Sequence, residues 1–339
     1  MSVSFSSSPG PSAGGPALPA GPDLTVVVRA RRRVAHDVVC LELADPAGEP
    51  LPAWTPGAHV DITVRPGMIR QYSLCGDPAD RGSWQVAVLR EAAGRGGSVH
   101  LHDRVAAGTL LTAGRPRNAF PLVAAPNYLL IAGGIGITPL LPMARELAAR
   151  GADWRLLYGG RRREAMAFAG DLADRHGERV LLHPQDTHGL LPIGAVLDDL
   201  RHSGLGEQTA VYCCGPEALL TAVEQACADW PAEALHVERF RPAQPASRDS
   251  DQAFELRLAR SGQILTVRAG QSILAALEAA GATVASSCRD GTCGSCETAV
   301  VAGEVEHRDT VLSAAERASG RTMMVCVSRS HGERLELDI

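Results

Sequence analysis

The chain has 339 residues, 45% hydrophobic and 21% charged, more than one ordinary core holds and enough for two or three domains of roughly 100 to 150 residues each. Its formal net charge is −5, and all 33 cationic side chains are Arg with no Lys, which argues against an electrostatic nucleic-acid binder. No stretch approaches the ~20 consecutive apolar residues of a membrane span, so a soluble protein of several domains is expected.

Residues 1–22 carry no charge before Asp23, only Ser, Pro, Gly, Ala and a few apolar residues. They lack the basic start and apolar run of a secretory leader and are expected to be a disordered tail. Residues 23–122 read as short strands with Pro and Gly punctuation: Leu24–Arg29, Asp37–Leu43, His59–Thr63, Gln71–Leu74 and Trp84–Leu89. That pattern predicts a small antiparallel β-barrel or sandwich.

Within this block Arg70-Gln-Tyr72-Ser73-Leu74 supplies a cation, a flat ring and a hydroxyl. Alternate residues of a strand share a face, so one pentapeptide can address the phosphate, the ring and N5 of a flavin. Further on, Gly94-Arg95-Gly96-Gly97-Ser98 precedes an expected helix Val99–Arg104. Small residues entering a helix leave amides free for an anion; an exposed Gly-rich hairpin is the competing reading.

From residue 123 to 240 strands alternate with helices. Tyr128–Ala132, Trp154–Tyr158, Val180–His183 and Ala210–Cys213 imply a parallel sheet in a doubly wound α/β domain. Gly133-Gly134-Ile-Gly136-Ile-Thr138-Pro139 follows the first of these strands. It does not match the G-x-G-x-x-G dinucleotide fingerprint. Thr138 is expected to cap the following helix, with Pro139 in its first turn, and a tight structural turn is the alternative. Tyr212-Cys213-Cys214-Gly215-Pro216-Glu217 is a second strand-to-helix junction, at the carboxyl edge where such sheets bind ligands.

Residues 241–252, rich in Pro, Ser and charge, read as a linker to a small domain at 253–339. There Cys288, Cys293, Cys296 and, 29 intervening residues later, Cys326 follow the plant-type spacing for a 2Fe-2S cluster. Two irons each need two thiolates, and Gly291 and Gly294 let the backbone curl round the inorganic sulfides. Cys293-Gly-Ser-Cys296 alone would equally suit a redox dithiol or half of a zinc site, but the fourth thiol stands apart in Met323-Met-Val-Cys326-Val.

The motifs CRDGTCGSC, AGEVEHRD (Ala302–Asp309) and MMVCVSRS (Met323–Ser330) resemble the C-terminal ferredoxin domain of the phthalate dioxygenase reductase and vanillate demethylase reductase family. The resemblance extends over nearly everything after the tail, in the order flavin, nicotinamide, ferredoxin. It implies an antiparallel β-barrel flavin domain, an α/β doubly wound nicotinamide domain and an α+β β-grasp ferredoxin domain. The flavin it implies is FMN. Arg70, Arg95 and Ser98 with the Gly96 and Gly97 amides are then expected at the phosphate, Tyr72 on the isoalloxazine and Ser73 near N5. Gly134, Gly136 and Thr138 fall along the pyrophosphate of NADH, Cys214 with Gly215 and Pro216 beside the nicotinamide, and Phe240 over the flavin face. Ser73 and Cys214 thus stand nearest the reacting atoms. The four cysteines ligate the cluster.

The family mostly uses NADH. Arg161, Arg162 and Arg163 follow the second strand, where a 2′-phosphate would lie, so NADPH is the competing donor. The expected acceptor is a separate terminal oxygenase, either a Rieske non-haem iron enzyme or a haem-thiolate monooxygenase. The protein is expected to be cytoplasmic and monomeric, with no nucleic-acid or membrane partner. A cluster-bearing sensor or carrier without nicotinamide turnover is the alternative. Cys40, Cys75, Cys213 and Cys227 read as reduced thiols, with a vicinal Cys213–Cys214 disulfide the minor alternative.

Overall fold

The computed structural model describes residues 23–66, 68–240, 251–312 and 314–339. The expected tail, and residues 241–250 of the expected linker, lie outside them.

Strands β1 (Leu24–Ala35), β2 (Val38–Ala44), β3 (His59–Arg65), β4 (Met68–Ser73), β5 (Trp84–Leu89) and β6 (Leu110–Ala113) pair antiparallel in the order β4-β3-β6-β1-β2-β5. Leu74, just past β4, bridges to Val86 on β5, so the two edges of the sheet meet and it closes into a barrel. Val26 and Val28, Val60 and Ile62, and Val86 and Val88 alternate along their strands and are fully buried, the period-2 signature of a one-sided core. The short strand β6 was not anticipated, because Leu110 faces outward and only two of its four residues are buried. Helix α1 (Gly97–Arg104) begins two residues before the expected Val99.

The second sheet is wholly parallel: β7 (Asn127–Gly133), β8 (Asp153–Gly160), β9 (Val180–Pro184), β10 (Thr209–Cys214) and β11 (Leu235–Glu238), in the order β11-β10-β7-β8-β9. Helices α2 (Ile137–Ala149) and α3 (Ala169–His176) cover one face; α5 (Ile193–His202) and α6 (Glu217–Ala226) cover the other, with a single turn α4 (Gln185–His188) between. From β7 the chain winds first to β8 and β9, then returns to place β10 on the opposite side of β7. The crevice between the carboxyl ends of β7 and β10 is therefore the topological switch point, where open α/β sheets bind ligands.

Barrel and sheet share a core. Val38, Cys75, Ala87 and Phe120 pack in one cluster with Leu141, Tyr158 and Tyr212. The Tyr212 hydroxyl accepts from the Val123 amide at 2.7 Å and donates to the Pro121 carbonyl at 3.0 Å, and its ring meets Phe120 edge-on at 5.3 Å.

The third unit has its own core. Strands β12 (Phe254–Leu258), β13 (Ile264–Val267), β14 (Glu297–Ala302), β16 (Thr322–Met324) and β18 (Arg334–Leu337) form a mixed sheet in the order β13-β12-β18-β14-β16; β15 (Val305–Glu306) and β17 (Arg329–Ser330) make a small ribbon. Helix α7 (Ile273–Ala279) packs Ile273, Leu274 and Leu277 on the sheet, its first turn capped by Ser272 Oγ accepting from the Ala275 amide at 3.1 Å. Helix α8 (Ala314–Ser319) precedes β16. A mixed sheet with a parallel central pair, β12 and β18, and a helix across it is the β-grasp arrangement expected.

Candidate functional site

The barrel's contribution centres on β4. Its register with β3 sets Ser73 opposite His59, Tyr72 opposite Val60, Gln71 opposite Asp61 and Arg70 opposite Ile62. Arg70 reaches the start of α1, where a Cβ on Gly97 would lie 2.9 Å from its Cγ. Gly97 is thus a cradle that only a residue without a side chain leaves open. Gly96 precedes the helix at φ 84°, and no side chain caps the helix. Burial first and the like charge of Arg95 second hold the Arg70 guanidinium below its ordinary value. Two crowded cations at an uncapped helix N-terminus fit a phosphate. Ser98 Oγ accepts from the Glu91 amide at 3.0 Å, which steadies the loop and leaves the hydroxyl hydrogen to donate. Ser73 is buried, and the opposing His59 has a buried Nε2 without a partner among the described residues. Such an orphaned polar atom beside Ser73 suits a heteroaromatic ligand ring. Burial raises the Tyr72 hydroxyl above its ordinary range, keeping it a neutral flat ring.

At the switch point the two loops touch backbone to backbone. A Cβ on Gly136 would fall 2.1 Å from the Cys214 carbonyl oxygen, and one on Gly215 would fall 2.9 Å from Gly133 Cα. Pro216 Cδ packs 2.6 Å from the position of a Gly133 Cβ, and Gly134 adopts φ 55°. The N-cap expectation for Thr138 is corrected. A 3-10 turn at Gly134–Gly136 runs directly into α2, leaving no extended capping residue; Thr138 is the second helical residue and donates to the Ile135 carbonyl at 3.0 Å. The amides at the start of α2 are therefore free of any side-chain cap, which fits a pyrophosphate.

Cys214 is fully buried. Its Sγ lies 3.9 Å from Glu238 Oε2, the residue in register with it on β11. Burial first, then Glu238, push the Cys214 thiol well up, and burial raises the Glu238 carboxyl to about 8. Glu238 is the site residue that sequence reasoning missed. Only its position at the carboxyl end of a strand could have marked it, and that strand was not foreseen. Phe240, two residues on, is 42% exposed.

The four cluster cysteines lie together in the third unit. Cys288 interacts directly with Cys293 and Cys326, and Cys326 with Cys296. A two-iron cluster takes four thiolates, two to each iron, and four thiols are brought together here. Gly291 and Gly294 take φ 72° and 76°, and a Cβ on Gly291 would sit 2.5 Å from Val327. The loop curls as expected. The Ser295 amide donates to Cys293 Sγ at 3.4 Å and the Asp290 amide to Cys288 Sγ at 3.3 Å, the support that ligating thiolates require. All nine cysteines are free, so Cys213 and Cys214 form no disulfide.

Sequence reasoning did not foresee that the cluster loop would lie against the barrel. Ser287 Oγ donates to Asp61 Oδ2 at 2.5 Å, Thr292 Oγ1 to Gln71 Oε1 at 3.4 Å, and Asp290 pairs with Arg95. Arg95 thus meets the ferredoxin unit as well as the phosphate loop.

A flavin-fitting barrel that meets a nicotinamide domain on one side and a four-cysteine loop on another defines an iron-sulfur flavoprotein of the NAD-dependent oxidoreductase class. Residues 256–331 match the family described as 2Fe-2S iron-sulfur cluster binding domain, and residues 130–225 the oxidoreductase NAD-binding domain. The toluene-4-sulfonate monooxygenase system reductase subunit TsaB1 of Comamonas testosteroni is 42% identical over 94% of this chain and 99% of its own. Phthalate dioxygenase reductase of Burkholderia cepacia is 39% identical over 93% of this chain and 97% of its own. The chain belongs to the phthalate dioxygenase reductase family, whose FMN, NAD and 2Fe-2S cofactors it shares. An intact type IV self-sufficient cytochrome P450 monooxygenase superposes with a TM-score of 0.86 at 42% identity, over 94% of this chain and 41% of that one; the chain spans less than half of that larger protein.

Proposed function

We propose that this protein is the reductase of a multicomponent oxygenase: it takes hydride from NADH at the switch-point crevice and delivers electrons singly, through FMN and the 2Fe-2S cluster, to a separate Rieske or haem-thiolate oxygenase. The observation that carries this reading is that the cluster loop and the nicotinamide sheet both pack against the flavin barrel. The cluster loop rests on the strand bearing Arg70, Tyr72 and Ser73, and the barrel shares its core with the nicotinamide sheet. Bound flavin supplies the conversion of a two-electron donor into one-electron steps, since nicotinamide gives two electrons together and the cluster accepts one.

In this reading Arg70, Arg95, the Ser98 hydroxyl and the Gly96 and Gly97 amides hold the FMN phosphate. Tyr72 lies along the ring, with Ser73 at the N5 side. Gly134, Gly136 and Thr138 line the pyrophosphate path, and Cys214, Gly215 and Pro216 bound the nicotinamide. Cys214 stays a thiol and Glu238 can hold a proton near neutrality, so the crevice keeps a low charge where hydride departs. Phe240 closes the flavin face. Cys288, Cys293, Cys296 and Cys326 hold the cluster. NADH is the preferred donor, with the Arg161–Arg163 run a solvated face. The free thiols suit the reducing cytoplasm, and among the described residues no helix is long and apolar enough to cross a membrane.

Cys293→Ser tests the path. NADH should still bleach the flavin, and faster than NADPH does, while reduction of an external one-electron acceptor through the cluster falls to background. Survival of both half-reactions would refute it.

A further inference from the structure

Asp61 is a carboxylate on the flavin barrel, buried at 8% exposure, with three side-chain partners that come from three different places. Arg117 Nη2 donates to its Oδ2 at 2.8 Å, Gln71 Nε2 to its Oδ1 at 3.1 Å, and Ser287 Oγ to its Oδ2 at 2.5 Å. Arg117 fixes the node from behind, where its backbone also pairs with that of His59 through two bonds of 2.8 and 3.0 Å. Gln71 lies between Arg70 and Tyr72 and extends the node outward, accepting from Thr292 through its other amide atom. The two residues reached on the ferredoxin unit are each the immediate neighbour of an expected cluster ligand, Ser287 before Cys288 and Thr292 before Cys293.

We propose that the Asp61–Arg117–Gln71 node is a docking latch: it clamps the cluster loop onto the flavin strand and so sets the geometry of flavin-to-cluster electron transfer. Asp61 is a positioning residue, acting through Ser287 and Gln71. The step it serves makes and breaks no bond; one electron passes, the reduced flavin being oxidised and the cluster reduced. The third contact between the units, Arg95 with Asp290, is 62% exposed on the Arg side, and such pairs contribute little. The buried node is where removal of one partner strands the others in a poorly solvated place. Its two flanking bonds also pin the loop at both ends of one curl, so that losing either lets the ligand-bearing backbone shift, and small misplacements are costly to transfer rates.

This inference rests on the proposed electron path, and one experiment separates the two. Full-length protein carrying FMN and cluster is mixed anaerobically with NADH, flavin and cluster bleaching being followed separately, and hydrogen exchange is measured over residues 286–293, 59–73 and 297–302. Asp61→Asn and Ser287→Ala should leave flavin reduction within about twofold, slow cluster reduction by about tenfold or more, and raise exchange at 286–293 and 59–73 but not in β14. Ser287→Thr, which keeps the hydroxyl, should recover both. Unchanged cluster reduction in Ser287→Ala overturns the latch, and so does slowing without increased exchange, which would point to an altered cluster instead. If Asp61→Asn loses its flavin, Ser287→Ala decides alone. Failure of NADH to reduce the cluster in the unsubstituted protein would sink the electron path itself.

Discussion

Burial sets the Glu238 carboxyl apart from an ordinary surface carboxylate. Its carboxyl, at about 8 in the folded protein because of burial, ionises near 4.5 once exposed. Between those values the folded state keeps a proton that the unfolded chain has released, so stability is fully present below pH 4.5 and is lost as pH rises towards 8. Glu238→Gln removes the titration. The thermal midpoint of the variant relative to the parent should rise from pH 5 to 8, the difference reaching on the order of 1 to 3 kcal/mol at pH 8, whatever the other titrating groups contribute to both; a constant difference would show that Glu238 ionises freely. At this scale the sequence was most legible where chemistry needs several identical residues at set spacing. Cys288, Cys293, Cys296 and Cys326 could be found from spacing alone. Glu238 could not, because a lone carboxylate acquires meaning only from the strand register that brings it to Cys214. Arg95 and Ser98 show the same limit, since a residue in a binding loop can turn to a neighbour that sequence does not reveal.

Among elements, the two glycine-bearing loops at the switch point act as one unit. Gly136 approaches the Cys214 carbonyl so closely that a methyl group would overlap it, and neither the strand end nor the helix start can give way without breaking the β7–β10 ladder. Gly136→Ala should therefore destabilise the nicotinamide sheet by about 2 to 4 kcal/mol and raise the KM for NADH, while FMN and iron content stay unchanged. A normal melting profile with normal KM would mean that the loops separate more readily than their packing implies. The strands with continuous apolar runs, β7 and β10, were readable because burial on both faces leaves a strong signal. Strands β6 and β11 were missed because each is four residues long and half exposed. The helix start at Thr138 was misplaced by one turn's worth of 3-10 geometry, a choice that backbone packing against Cys214 makes and local propensity does not.

Taken whole, the molecule is three units whose order in the chain was legible from composition and motif, and whose mutual contacts were not. Shared packing at Phe120 and Tyr212 and the latch at Asp61 depend on residues far apart in sequence with no motif of their own. One feature of the last unit governs how the whole is made. Strand β18 lies in the middle of its sheet, paired to β12 on one side and β14 on the other, with Leu335 and Leu337 buried. A chain ending at Gly332 should consequently lose its iron while still bleaching flavin with NADH, as iron analysis and absorbance would record; retained iron would contradict the central role of β18. During synthesis the barrel and the nicotinamide sheet can close while the ferredoxin unit still lacks its central strand, for domains fold as units in the order they emerge. On that order the cluster-bearing sheet is completed after the flavin half has closed, so the order of manufacture runs in the same direction as the electrons.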